Sequence, residues 1–179
     1  MKRLAPLLLS LIWGSALAHP VDEVVQGAYL TLLPGKVQLE LDITPGEKVA
    51  GTVLRSLDTN ADGHVTEVEA RAYAKRVLDQ STLKVGAQQV RWTLQKVDVP
   101  PVDLLKVGGG ILKIYASASR TDQVGAQTLS YQNRYQPAKS QWTANVFLQP
   151  AAGWQYRVTG QARSNDGRTL TAKYQVARS

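Results

Sequence analysis

Apolar and polar residues alternate strictly from Val37 to Ile43. Val37, Leu39, Leu41 and Ile43 interleave with Gln38, Glu40 and Asp42, the period-two signature of a half-buried strand. The run before it, Val24 to Leu33, is apolar and partly β-branched, and Leu33-Pro34-Gly35-Lys36 supplies turn chemistry between the two. This pattern predicts a β-hairpin. The period then changes. Val49, Val53, Leu54 and Leu57 recur at helical spacing, with Thr44 placed to cap and Pro45 suited to the first helical position. Val68, Ala72, Tyr73, Val77 and Leu78 fit a second helix that ends near Gln80. Together these segments predict a helix–loop–helix over about residues 45–80.

Beyond Ser81 the strand pattern returns. Thr82 to Val85 and Val90 to Val97 read as a hairpin about Gly86-Ala87, and Pro100-Pro101 breaks it. Further strands are predicted over Ile111 to Ser119, Thr128 to Tyr135, Trp142 to Leu148, Trp154 to Ala162 and Thr169 to Val176. Turn residues separate them, among them Gln136-Pro137, Gln149-Pro150 and Asn165-Asp166-Gly167. Gly108-Gly109-Gly110 lacks both the lysine of a P-loop and a helix after it, so it reads as a flexible turn.

The segment joining the two helices carries the most specific motif. Asp58-Thr59-Asn60-Ala61-Asp62-Gly63-His64-Val65-Thr66-Glu67-Val68-Glu69 matches the EF-hand calcium loop at every specified position. Ca²⁺ is a hard cation that takes about six to eight oxygen ligands. Asp58, Asn60 and Asp62 stand first, third and fifth and each offers a side-chain oxygen. Gly63 permits the sharp turn. His64 is expected to contribute its backbone carbonyl, Thr66 to act through a water, and Glu69 to give both carboxylate oxygens. Mg²⁺ suits such a cage less well, because it prefers a tight octahedron with retained water. Thr66 and Glu69 also have capping-box spacing, a competing use of Glu69 that conflicts with metal binding only in the metal-free state. The loop stands alone, although EF-hands usually pair through the residue at the position of Val65. Either another part of the domain covers Val65 or two chains pair, and the flanking strands favour the former, hence a monomer over a homodimer.

The predicted fold is therefore mainly β with an α insertion: an antiparallel, Ig-like β-sandwich carrying one EF-hand helix–loop–helix between its second and third strands. Neither an internal repeat nor a long linker is visible, which predicts a single domain over residues 19–179.

The chain has 179 residues. Lys2 and Arg3, the apolar stretch Leu4 to Trp13 and the small-residue pattern Ala16-Leu17-Ala18 predict a signal peptide over residues 1–18, cut after Ala18. The alternative is an uncleaved N-terminal anchor, although the stretch is shorter than the roughly 20 apolar residues a span needs. The mature chain is thus expected in the periplasm or secreted, without a transmembrane segment. With no cysteine, thiol catalysis and cysteine-built zinc sites are excluded. The net charge of +7 is scattered rather than clustered, which argues against nucleic acid and for a mildly basic solvated surface, weak attraction to anionic envelope lipids or polysaccharide being the alternative.

Other chemistry is thinner. His19 would begin the mature chain and could chelate copper, but the only other histidine is His64. Asp98 and Asp103 flank the two prolines and read as solvated loop acids. Trp92, Trp142 and Trp154 could form a carbohydrate platform, yet each lies in a strand-like run that favours packing. No histidine-centred triad or Gly-x-Ser-x-Gly motif is present, so an enzyme is not expected.

The run His19-Pro20-Val21-Asp22-Glu23, the hairpin, the helix with Asp58 to Glu69 and Tyr73, and Leu129-Ser130-Tyr131-Gln132-Asn133-Arg134-Tyr135 resemble the exported N-terminal region of bacterial nickel/cobalt-permease-like membrane proteins. The resemblance implies a stand-alone periplasmic domain working beside a membrane partner. It does not extend to transport, because this chain has no membrane segments. The expected function is calcium binding with a mainly structural role. The alternatives are an accessory protein for an envelope metal transporter or sensor, and a carbohydrate-binding module.

Overall fold

A computed structural model describes residues 22–149 and 151–179. The predicted signal peptide and His19 lie outside the described residues. The chain is mainly β. Strand β1 (Val24–Leu33) and strand β2 (Lys36–Pro45) form the predicted hairpin, closed by the pair Leu33 and Lys36. Pro34 presets its own φ and Gly35 takes φ 72°, a left-handed value that suits glycine. In β2 the alternation reads directly as burial: Val37, Leu39, Leu41 and Ile43 are at most 1% exposed.

Helices α1 (Glu47–Leu57) and α2 (Glu67–Asp79) follow, then β3 (Ser81–Val85), β4 (Gln88–Val90), β5 (Thr93–Asp98), α3 (Val102–Lys106), β6 (Leu112–Ser119), β7 (Gly125–Asn133), β8 (Ser140–Leu148), β9 (Gln155–Arg163) and β10 (Thr169–Ala177). The strands form two five-stranded sheets, ordered β5-β6-β2-β1-β8 and β4-β3-β7-β10-β9. Leu30, Leu41 and Ile114 of the first join Leu83, Leu129, Tyr131 and Tyr174 of the second in one hydrophobic core, which also takes Val53 and Leu57 of α1 and Tyr73 and Val77 of α2. The helix–loop–helix therefore lies between β2 and β3 and is anchored by its apolar faces. No helix among the described residues is long and apolar enough to cross a membrane.

Several expectations need correction. The sheets are not wholly antiparallel, because β1 pairs in parallel with β8, Ala28 standing opposite Ala144. No short turn joins these strands, so nothing local fixes their relative direction, and the long connection between them permits the parallel pairing. The first helix starts at Glu47 rather than Pro45, with Gly46 as its N-cap. The sheet holds the chain longer than local propensity indicates: Gly46 N–H donates to the Glu23 carbonyl at 2.8 Å, just past the Val24–Pro45 pair.

The segment 82–97 is not one hairpin. β3 and β4 pair in the second sheet, and β5 crosses to pair with β6 in the first. The change of sheet falls at Arg91-Trp92, where the Trp92 ring packs edge to face on Tyr131 at 6.3 Å and 71°. Helix α3 was not anticipated, since five residues are too few to show a period. The glycine run after it is closely packed, not a flexible turn. Gly108 sits at φ 72°, and a Cβ there would lie 2.9 Å from the Glu47 nitrogen; one on Gly110 would lie 2.8 Å from Pro100 Cγ.

Candidate metal centre

Helix α1 ends where its apolar face ends, at the fully buried Leu57. Asp58 leaves the helix in an extended conformation, its N–H still bonded to the Leu54 carbonyl at 2.8 Å. From there the chain winds on itself. Asp58 Oδ2 accepts the Gly63 N–H at 2.9 Å and Oδ1 accepts that of Asp62 at 3.3 Å. Asn60 Oδ1 accepts the Asp62 N–H at 3.0 Å, and Asp62 Oδ1 accepts that of His64 at 2.8 Å. Two left-handed residues permit this winding: Gly63 at φ 82°, and Ala61 at φ 58°, the only non-glycine residue with positive φ among the described residues.

The far end of the loop is held by Glu69. The capping box is formed: the Thr66 hydroxyl accepts the Glu69 N–H at 3.3 Å, while Glu69 Oε2 accepts the Thr66 N–H at 3.1 Å and the Thr66 hydroxyl at 2.8 Å. Glu69 Oε1 reaches back across the loop and accepts the Thr59 N–H at 2.9 Å and the Thr59 hydroxyl at 3.0 Å. One carboxylate thus ties the start of the loop to the start of α2. The backbone hydrogen bond from Thr66, with that residue's hydroxyl and the Thr59 N–H, pushes the Glu69 carboxyl down to about 2.

The structure brings Asp58, Asn60 and Asp62 into one hydrogen-bonded turn and sets Thr66 and Glu69 at its rim. Among the described residues, no three His, Asp or Glu side chains form a metal cluster. Asp58 and Asp62 face the turn's own N–H groups, while Glu69 is engaged with Thr59 and Thr66. The remaining candidate donors are of other kinds, namely the Asn60 amide, the His64 carbonyl and the Thr66 hydroxyl. Asp58, Asn60 and Asp62 keep acceptor capacity, since each carboxylate or amide oxygen has two lone pairs and accepts one hydrogen bond here, from a backbone N–H except at Asp62 Oδ2, which takes the Asn60 side-chain amide at 2.9 Å. Glu69 has less to spare: its two oxygens already take bonds from both threonines.

Val65 is half-buried and packs on the core. It shares a recess of about 400 Å³ with Ala70, Val97 and Val99, so β5 and the residues after it lie beside the loop where a partner loop would otherwise stand.

Behind the loop lies a network that the sequence reading passed over. The Tyr73 hydroxyl meets that of Tyr135 at 2.7 Å, both buried. The Tyr135 carbonyl accepts from Gln26 Nε2 at 2.9 Å and Trp142 Nε1 at 3.2 Å. Asn133 bridges them, donating to Gln26 Oε1 and accepting the Tyr135 N–H, both at 2.9 Å. Burial pushes both phenols up. The signal was available: Gln26 falls in the inward phase of β1, among Val24, Ala28, Leu30 and Leu32, and is 1% exposed.

Among the described residues, the paired acids and the tryptophan platform do not assemble. Asp98 pairs with Lys96 and Asp103 with Lys106, not with each other. The three tryptophans share no platform. Trp92 packs on Tyr131, Trp142 lies beneath the Arg168 guanidinium at 4.0 Å, and Trp154 lies beneath that of Arg178 at 4.5 Å. No protein-family model matches the chain, and no curated protein is detectably similar to it.

Proposed function

We propose that this chain is an exported calcium-binding protein, an Ig-like β-sandwich with a single EF-hand between β2 and β3. The observation that carries the reading is the turn at Asp58, Asn60 and Asp62. It is already wound, its oxygens are fixed by backbone N–H groups and the Asn60 amide, and each of them has capacity left. Such preorganised hard oxygen donors suit Ca²⁺. Asp58, Asn60 and Asp62 would hold the ion through side chains, His64 through its carbonyl, Thr66 through a water and Glu69 through its carboxylate. Engaging Glu69 in both oxygens exchanges part of its bonding to Thr59 and Thr66 for the ion.

The role is structural. The helices that flank the loop are sunk in the core, so an ion there stabilises the fold. At free Ca²⁺ about 100 times the dissociation constant the gain is about 2.7 kcal/mol. Packing of Val65 beside Val97 and Val99 supports a loop completed within one chain. The signal-like residues 1–18 support a periplasmic or secreted setting. Calorimetry with Ca²⁺ tests the site. Binding that is lost in Asp58→Ala and weakened in Glu69→Gln is the expected result; no heat at millimolar Ca²⁺, or binding unchanged in both variants, refutes it.

A further inference from the structure

A cleft of about 720 Å³ opens between α2 and the crossover from β4 to β5. Arg71 and Lys75 line it from the helix and Arg91 from the crossover. Its one acid, Asp79, is matched by Lys75 at 3.2 Å, and Arg71 has only a loose 3.9 Å contact with the exposed Glu67. Arg91 is exposed and pairs with no carboxylate among the described residues. The cleft therefore carries excess positive charge. Its lining also includes Leu78, Val90 and Leu94, which are apolar. Trp92 completes it, and the Trp92 indole N–H is buried without an acceptor among the described residues.

Beside the cleft runs β4, an end strand of its sheet that pairs only with β3. Its outer edge leaves backbone N–H and C=O groups without a strand partner, and such an edge accepts an extended chain. Cations, apolar lining and a free strand edge together match a peptide better than a membrane or a polysaccharide. A membrane offers no peptide backbone to the strand edge, and an anionic polysaccharide offers neither backbone nor apolar groups to the lining.

We propose that this cleft receives an extended acidic peptide segment of a partner protein. Its carboxylates meet Arg71 and Arg91, its backbone pairs with the free edge of β4, and apolar side chains rest on Leu78, Val90 and Leu94. This stands apart from the calcium reading, because none of the proposed calcium ligands lines the cleft.

The test is fluorescence anisotropy of a labelled peptide of alternating glutamate and leucine, titrated with the purified protein at physiological salt. Saturable binding is expected, with none to the peptide in which glutamine replaces glutamate. The Arg71→Gln/Arg91→Gln double variant, altered only at exposed positions, should weaken binding by about tenfold or more. Arg157→Gln, exposed on β9, should leave it unchanged. Three outcomes would overturn the proposal: no saturation, equal loss in Arg157→Gln, or tighter binding of dextran sulfate or phosphatidylglycerol vesicles than of the peptide.

Discussion

The hydroxyls of Tyr73 and Tyr135 meet at 2.7 Å in the interior, joining α2 to the segment after β7. Their rings cross nearly at right angles, 87° apart. This contact, with Gln26 and Asn133 behind it, seats the helix–loop–helix on both sheets.

Tyr73→Phe removes one partner of a buried hydrogen bond and should cost about 1–2 kcal/mol in urea unfolding. The Tyr73→Phe/Tyr135→Phe double variant should cost less than the two single losses added, because no hydroxyl is then left facing an empty partner. Both phenols titrate above their ordinary 10.0, with burial the main cause. The fold thus favours the neutral forms: their contribution is full below pH 10 and is lost as pH rises beyond it. The alkaline fall in stability should be shallower in the double variant.

Glu69 gives the opposite sign. Its carboxyl falls from 4.5 unfolded to about 2 folded, so its contribution is present above pH 4.5 and is lost as pH drops toward 2. Protection of the Thr59 and Thr66 amides, measured against their intrinsic exchange rates, should fall across that window. In Glu69→Gln the exchange should already be fast at neutral pH and should show no such step.

Asp122 and Arg120 form an ion pair whose side chains are 5% and 2% exposed. Asp122 also accepts the Gly35 N–H and, at 3.0 Å, the Tyr156 hydroxyl. Asp122→Asn leaves a buried guanidinium without its counter-charge and should cost about 3–5 kcal/mol. The midpoint of chemical denaturation measures it, and a loss under 1 kcal/mol would show that water reaches Arg120.

Gly108→Ala should destabilise by about 1–3 kcal/mol, since the added methyl meets the Glu47 nitrogen at 2.9 Å and the residue keeps φ 72°. Gly35→Ala is the control. It shares the positive φ but has nothing within 4 Å, so it should cost only the conformational part. Thermal melts of the two variants separate crowding from backbone strain.

Where structure is local, the sequence was legible. The alternation of Val37 to Ile43, the turn at Pro34-Gly35, and the helix–loop–helix with Thr66 capping α2 all depend on neighbours along the chain. Where distant residues decide, it was not. The jump of β5 to the other sheet turns on Trp92 meeting Tyr131, and the direction of β8 on the free side of β1. Helix α3 fell below the length at which a period can be read. At the candidate metal centre, the positions of Asp58, Asn60, Asp62, His64, Thr66 and Glu69 were read from spacing alone. The engagement of Glu69 with Thr59, ten residues away, could not be.

The parallel pairing of β1 with β8 bears on how the chain reaches this state. As the chain is made from its N-terminus, the β1–β2 hairpin is complete early, yet the outer edge of β1 must wait for residues from the far half of the chain. Pairings between such distant segments slow folding, and an unfilled strand edge invites other chains in the meantime. The last third of the protein therefore sets the pace of its assembly, and a chain truncated before Ser140 would expose a sticky edge rather than fold as a smaller domain.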